Sequence, residues 1–405
     1  FAITIGMAAL ANPISQLYNE PRLSSIMIAI SIAPFFRGIQ SPKNIIYIKK
    51  MDFRRLIAQE LIGKIGAVTF CFSYATSHKD YWALAILTIT APIISAITSF
   101  ILAPMRIKPS LKEWHIFKDI IGWNFLSQLM ASLNWQLERL VLPRYIDKST
   151  FGQYTSFAEL IDIPIKTILL PLSNQLDVKF KNAEISSELK EKYLQIQALI
   201  FIFLAPIFTY AALFPKPIIL IFLGEKWLNH SYVFGLLAVG SIIYLPTTCI
   251  ASLASNLYQN RLLTLRTFLE FCVSFPLVLV LTYLYGLNGA IAGRLCTTTL
   301  VLLISVNLGK KLIGISRRAQ FFALIYPATC LLLSCLLTKI IFQNISFQKE
   351  VASLTLYLFL TCSVFFGLYF FILLLICIVF KKRSGAEALI RQMIIFKFKN
   401  NSIKD

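Results

Sequence analysis

Glu138 and Arg139 stand side by side within an apolar segment, "LNWQLERLVLPRY". A charge in hydrocarbon is expensive and marks a transport path, a proton relay or a structural pair. On a helix, Asn124, Gln128, Ser132, Trp135 and Arg139 fall within an arc of about 80°, and Glu138 lies about 40° beyond its edge. A single polar stripe along most of a span faces protein or water rather than lipid. A turn through "FGQY" leads to the next segment, where Thr155, Glu159, Asp162, Lys166 and Ser173 share an arc of about 60°. Asp162 and Lys166 are four residues apart and can pair, and Pro164 and Pro171 predict kinks. The apolar residues of this segment contribute about −3 to −6 kcal/mol to insertion, and its three charges cost about +7 to +10. It therefore needs a partner helix or a hydrated cavity, and the preceding segment is the hairpin neighbour expected to share it.

Other intramembrane charges are weaker candidates. Arg294 shares a side with Thr298 and Ser305, Arg37 has little polar company, and Lys64 has Glu60 one turn away. Arg37 and Lys64 have stems long enough to snorkel. Arg266 and Glu270 read as an interfacial pair, and the phenylalanines at 365, 366, 370 and 371 as lipid-facing packing. The candidate cavity cations are thus Arg139, Lys166, Arg294, Arg37 and Lys64. Guanidinium and ammonium groups in a wet pocket suit a phosphate or diphosphate. Glu138, Glu159 and Asp162 are the carboxylates able to take a coupling proton or sodium ion.

The elements that position these residues are apolar runs of membrane-spanning length. The chain is 57% hydrophobic and only 14% charged, well below the roughly 25% charged of soluble domains. Twelve spans are expected, near 1–16, 23–42, 56–76, 82–104, 119–143, 153–176, 196–215, 232–256, 267–285, 289–308, 321–341 and 351–380. With the N-terminus placed in the cytoplasm, cytoplasmic loops and tail carry 26 Lys/Arg, external loops 7 and the spans 6. That bias is a topology signal, and it absorbs the net charge of +20 without a nucleic-acid partner. Both termini are then cytoplasmic, and the basic tail 381–405 is placed to lie on anionic lipid.

Eight cysteines fall in spans with no CxxC pair, and three histidines sit in separate loops, so no metal site, cofactor or disulfide framework is expected. Nucleotide-binding and hydrolase motifs are missing from the chain, and its loops are too short for a soluble domain.

"PISQLYNE" (13–20) and "PIILIFLGE" (217–225) share a pattern of Pro-Ile, an aliphatic–aromatic pair and an acid. Their spacing suggests a parallel internal repeat of about six helices. In that register two helices, about 80–90 residues, would precede Phe1, giving fourteen in all. The expected fold is an all-α polytopic membrane protein. It comprises a truncated N-terminal bundle (1–104), a six-helix bundle (117–308), an extra helix pair (321–380) and the tail, with the two bundles around a central cavity.

"MDFRRLIAQELIG" with "DYWALAIL", "LNWQLERLVLPRYIDKSTFGQYTSFAEL", "IFLGEKW" and "LYGLNGAIAG" occur in order over about residues 13–308. Together they resemble the polysaccharide flippases (Wzx-type) of the MOP exporter superfamily. The resemblance implies fourteen helices around a central cavity in a bacterial cytoplasmic membrane. It also implies a polyprenyl-diphosphate-linked oligosaccharide, a precursor of O-antigen, exopolysaccharide or capsule, moved outward by alternating access. A polysaccharide polymerase and assembly proteins would be its partners. Glu138 departs from the Asp expected there. The alternatives are a cation-coupled multidrug exporter of the same superfamily, a flippase for the peptidoglycan precursor, a polytopic polymerase or ligase, and a structural member of an assembly complex. The enzyme reading lacks a long polar external loop: the stretch 216–231 is mostly apolar.

Overall fold

The computed structural model describes residues 2–49, 52–105, 114–169, 187–257, 259–343 and 351–379. The described residues are helical, with no strand among them. They fall into two compact units, residues 1–113 and 114–405.

In the first unit, α1 (Ala2–Leu17), α2 (Arg22–Ile30), α3 (Ile32–Ile39) and the short α4 (Lys43–Lys49) precede a helical hairpin. That hairpin is α5 (Arg54–His78) on α6 (Trp82–Leu102). Gly63 and Ala67, one turn apart, are buried on α5. A Cβ on Gly63 would meet the Ser95 hydroxyl at 2.0 Å, so the helices touch there through backbone. Small residues allow such contact between apolar helices in lipid, where the hydrophobic effect supplies no drive. Asn44 and Gln59 exchange amide hydrogen bonds of 3.0 and 3.2 Å and tie α4 to the start of α5.

The second unit contains α7 (Trp114–Val141), a 3-10 turn at Leu142–Arg144 and α8 (Lys148–Pro164). Next come α9 (Ser187–Leu213), α10 (Pro215–Phe222), α11 (Ser231–Tyr244) and α12 (Thr248–Asn256). α13 (Asn260–Ile313), α14 (Arg317–Phe342) and α15 (Val351–Val379) complete it. α13 is two antiparallel limbs reversing at Gly286, whose φ of 55° lies in the region glycine tolerates. A Cβ on Gly289 would meet the Leu281 carbonyl oxygen at 1.8 Å, and one on Gly293 would lie 3.1 Å from Val278. The glycines of "LYGLNGAIAG" thus serve the reversal first and close limb packing second. The core lies among α8, α9, α11 and α12, with α9 central and nearly all buried along one face. α14 and α15 dock on it: the Tyr210 hydroxyl donates to the Leu358 carbonyl (3.0 Å), and Tyr369 to that of Ile202 (3.2 Å).

Eight stretches among the described residues are long and apolar enough to cross a membrane. They are Arg22–Ile39, Arg54–His78, Trp82–Leu102, Ser187–Leu213, Glu225–Asn256, Asn260–Ile313, Arg317–Phe342 and Ala352–Ile376. α1 and α8 are shorter, at 16 and 17 residues. α7 is diluted by Asn124, Gln128, Asn134 and Gln136.

Three local expectations are corrected. "FGQY" is not the turn: the chain reverses at 142–147, and α8 starts at Lys148. Asp147 accepts from the Thr150 N–H at 2.8 Å as its N-cap. The Thr150 hydroxyl and N–H together hold this exposed carboxyl below its ordinary value. The phenylalanine stripe on α15 divides: Phe365 is fully buried beside Tyr210, whereas Phe370 and Phe371 are exposed. Pro164 ends α8, and one turn of π-helix follows at Ile165–Leu169. Pro171, Ser173 and the tail 381–405 lie outside the described residues.

The two similar stretches each finish a helix with a positive-φ residue before an acid. These are Asn19 (φ 51°) before Glu20 and Gly224 (φ 91°) before Glu225. In both, the chain leaves the helix while a carbonyl of its last turn stays bonded, Ser15 to the Glu20 N–H and Ile219 to the Gly224 N–H, each at 3.1 Å.

Candidate functional site

The second unit holds a cavity of about 260 Å³. α7 packs along the 260–285 limb of α13. Leu137 and Val141 bury against Val278. The Asn134 amide donates to the Thr267 carbonyl (3.3 Å) and accepts from the Ser274 hydroxyl (3.0 Å). α8 packs instead on α11, with Phe157 against Phe234. The two charged helices therefore flank the cavity, joined by side chains.

One cluster joins three helices. Glu138 of α7 accepts from the Tyr154 hydroxyl of α8 and from Arg294 of α13, the latter at 2.9 Å. Arg294 also donates to the Tyr154 oxygen (3.2 Å). A second cluster continues along α8. Arg139 meets Glu159 at 2.6 Å, Lys166 meets Glu159 at 3.1 Å and Asp162 at 3.5 Å, and the Asp162 side chain is 5% exposed. Six of the eight expected site residues thus come together, and each cation has a carboxylate. Glu159 and Lys166 are about half exposed and bridge the rim. Glu138, Arg139, Asp162 and Arg294 line the wall. The other two lie in the first unit: Arg37 is exposed near the end of α3, and Lys64 pairs with Glu60 at 3.7 Å with its side chain 71% exposed.

Four features escaped the sequence reading. The first is the Tyr154 hydroxyl, visible in "FGQY" only as part of a motif. The second is Asn134, whose amide is tied to α13. The third is Tyr244, which with Trp135 gives the wall an aromatic side. The last is Arg266 with Glu270. Both lie within α13 and both line the cavity, without a direct ion pair between them. The i, i+4 spacing was the available signal, but the face it pointed to was not readable. The lining charges balance, with Arg139, Arg266 and Arg294 against Glu138, Asp162 and Glu270. The expectation was a net cationic wall.

At the Asp147 end of α8, Gly224 lets the chain leave α10, and Trp227 packs edge-on against Phe157. His230 Nδ1 lies 2.8 Å from the Gln153 side-chain oxygen, and the Gln153 amide donates to the Lys226 carbonyl (3.3 Å). These contacts give "IFLGEKW" a packing role. Among the described residues no cluster of His, Cys, Asp and Glu is arranged to hold a metal ion.

Fold and site define a multi-pass, all-helical membrane protein with a charged cavity in its second unit. Residues 1–232 match the model of the family described as "Polysaccharide biosynthesis protein", and the chain belongs to that family. Among solved structures, the chain is similar to lipid II flippase MurJ in its inward closed conformation, with a TM-score of 0.70 and 13% sequence identity. The match covers 94% of this chain and 80% of that one. At that identity the likeness carries the fold. No curated protein matches the sequence. The family match bears out the polysaccharide-biosynthesis side of the resemblance, and the shared fold bears out its polytopic helical architecture.

Proposed function

We propose that the chain is a flippase, not an enzyme, for a polyprenyl-diphosphate-linked oligosaccharide, moving it from the cytoplasmic to the external leaflet by alternating access. Both termini are then cytoplasmic, and polysaccharide polymerase and assembly proteins are the downstream partners. The observation that carries this reading is the cavity wall of Glu138, Arg139, Tyr154, Asp162 and Arg294, drawn from α7, α8 and α13. Combined with a family devoted to polysaccharide biosynthesis, such a wall suits a large polar head group whose lipid tail stays outside. Arg139 and Arg294 are held by carboxylates in this state, so an incoming diphosphate exchanges partners with Glu159 and Glu138. The freed carboxylates are the groups able to take a proton or sodium ion. Arg37 and Lys64 remain candidate cargo contacts of the first unit.

The test is deletion of the gene and restoration with wild type or Arg139→Ala, measuring surface glycan and inner-leaflet lipid-linked sugar. Accumulation of lipid-linked sugar on deletion, cleared by wild type but not by Arg139→Ala, is expected. A second reading, the cation-coupled multidrug exporter, draws on the acids and on Trp135 and Tyr244 in the wall. Unchanged glycan with altered resistance to cationic drugs would replace the first reading by the second.

A further inference from the structure

Arg266 differs from the other cations of the second-unit site. Arg139, Lys166 and Arg294 are each held by a carboxylate. Arg266 is 8% exposed and lines the cavity. Its Nε has no hydrogen-bond partner, and no ion pair reaches it among the described residues. A buried guanidinium N–H left without a hydrogen-bond partner is costly to keep. Glu270, the acid one turn on, lies on the same wall without closing on it. Trp135, Tyr244, Ser241 and Thr298 line the same cavity and give it aromatic and hydroxyl groups.

We propose that Arg266 is an oxyanion subsite for the glycosyl part of the cargo, with Glu270 accepting from a neighbouring sugar hydroxyl. The guanidinium fork matches a bidentate oxyanion, which a lysine ammonium cannot reproduce. The carboxylate beside it disfavours a bare anion and favours one attached to a hydroxyl-bearing ring. Aromatic faces at Trp135 and Tyr244 suit the apolar face of such a ring. Two ligands supply this chemistry: a sugar phosphate, as at the diphosphate linkage, and the carboxylate of an acidic sugar. The subsite deepens the flippase reading and rests on it for its biological meaning, but binding is measured separately.

The experiment uses the purified full chain in detergent, titrated with glucose 1-phosphate, glucuronate and glucose, and read by tryptophan fluorescence and calorimetry. Wild type is expected to bind one oxyanion more tightly than glucose. Preference for glucose 1-phosphate assigns the site to the linkage, and preference for glucuronate assigns it to an acidic sugar. Arg266→Gln should weaken the preferred oxyanion about 10- to 100-fold and leave glucose within about 3-fold. Arg261→Gln, an exposed change on the same helix, should leave both unchanged. If Arg266→Gln does not fold, Arg266→Lys carries the test, with an expected loss of several-fold from a single-point contact. Equal oxyanion binding by wild type and the Arg266 variants overturns the subsite, as does no preference of wild type over glucose. The flippase reading fails on a different result: lipid-linked sugar that does not accumulate when the gene is deleted.

Discussion

Arg294 and Glu138 lie 156 residues apart in the chain and 2.9 Å apart in space, with the Tyr154 hydroxyl between α7 and α13 as their shared partner. Their side chains are 29% and 13% exposed, so neither charge is easily left alone. Removing one member of such a pair costs about 3–5 kcal/mol, and removing both costs far less. Arg294→Gln and Glu138→Gln should each lower the unfolding temperature clearly. The double variant should recover much of the loss, a positive coupling in a double-mutant cycle. Additive losses would show that the two residues do not stabilise one another. Tyr154→Phe should cost only about 1 kcal/mol, that of one hydrogen bond.

The Arg139–Glu159 pair behaves differently because Glu159 is about half exposed. Such a pair is worth at most about 1 kcal/mol. Glu159→Gln should therefore leave the unfolding temperature nearly unchanged. Its transport of lipid-linked sugar should fall, because Arg139 and Lys166 lose their common partner. A variant that unfolds without any transport phenotype of its own would assign the pair to structure.

Two glycines make a paired test of backbone contact. Gly289→Ala places a Cβ 1.8 Å from the Leu281 carbonyl oxygen, which the helix holds in place. Expression of folded protein should fall sharply. Gly152→Ala, inside α8, meets nothing within 4 Å. It should be neutral or stabilising by about 0.5–1 kcal/mol, the usual gain of alanine over glycine in a helix. Size-exclusion profiles and melting curves of both variants settle the comparison.

Asp147 offers a pH dependence outside the apolar segments. Its hydrogen bonds to Thr150 hold the folded pKa below the ordinary aspartate value. The cap's contribution is therefore complete above about pH 4 and is lost as pH falls through the lower folded value. The melting-temperature advantage of wild type over Asp147→Ala should be constant from neutral pH to about 5 and shrink in stronger acid. Asp147→Asn retains a capping oxygen that does not titrate, so its advantage over alanine should stay flat. An advantage for wild type that grows on acidification would contradict the cap.

Much of the helical layout was legible because lipid imposes it: an apolar run of span length must bond its own backbone, and the loops show where runs stop. α8 starts before "FGQY" because Asp147 caps it, and an Asp followed by Lys-Ser-Thr is a cap signal legible in the sequence. The Asp162–Lys166 contact was legible because i, i+4 neighbours meet on any helix. The burial of Phe365 against Tyr210 was not, because a wholly apolar helix has no polar face to orient it.

The sequence by itself determined a basic, all-helical membrane protein, its apolar segments and the charged stripes on two of them. These follow from composition and from periodicities shorter than one helix. Only the tertiary structure decided that Arg139 meets Glu159, that Arg294 crosses to Glu138, and that Arg266 lines the cavity with its Nε lacking a hydrogen-bond partner. Such partners depend on how each helix is rotated about its axis and which helix it packs against. That rotation is set by contacts such as Val278 on Leu137, which no single segment contains.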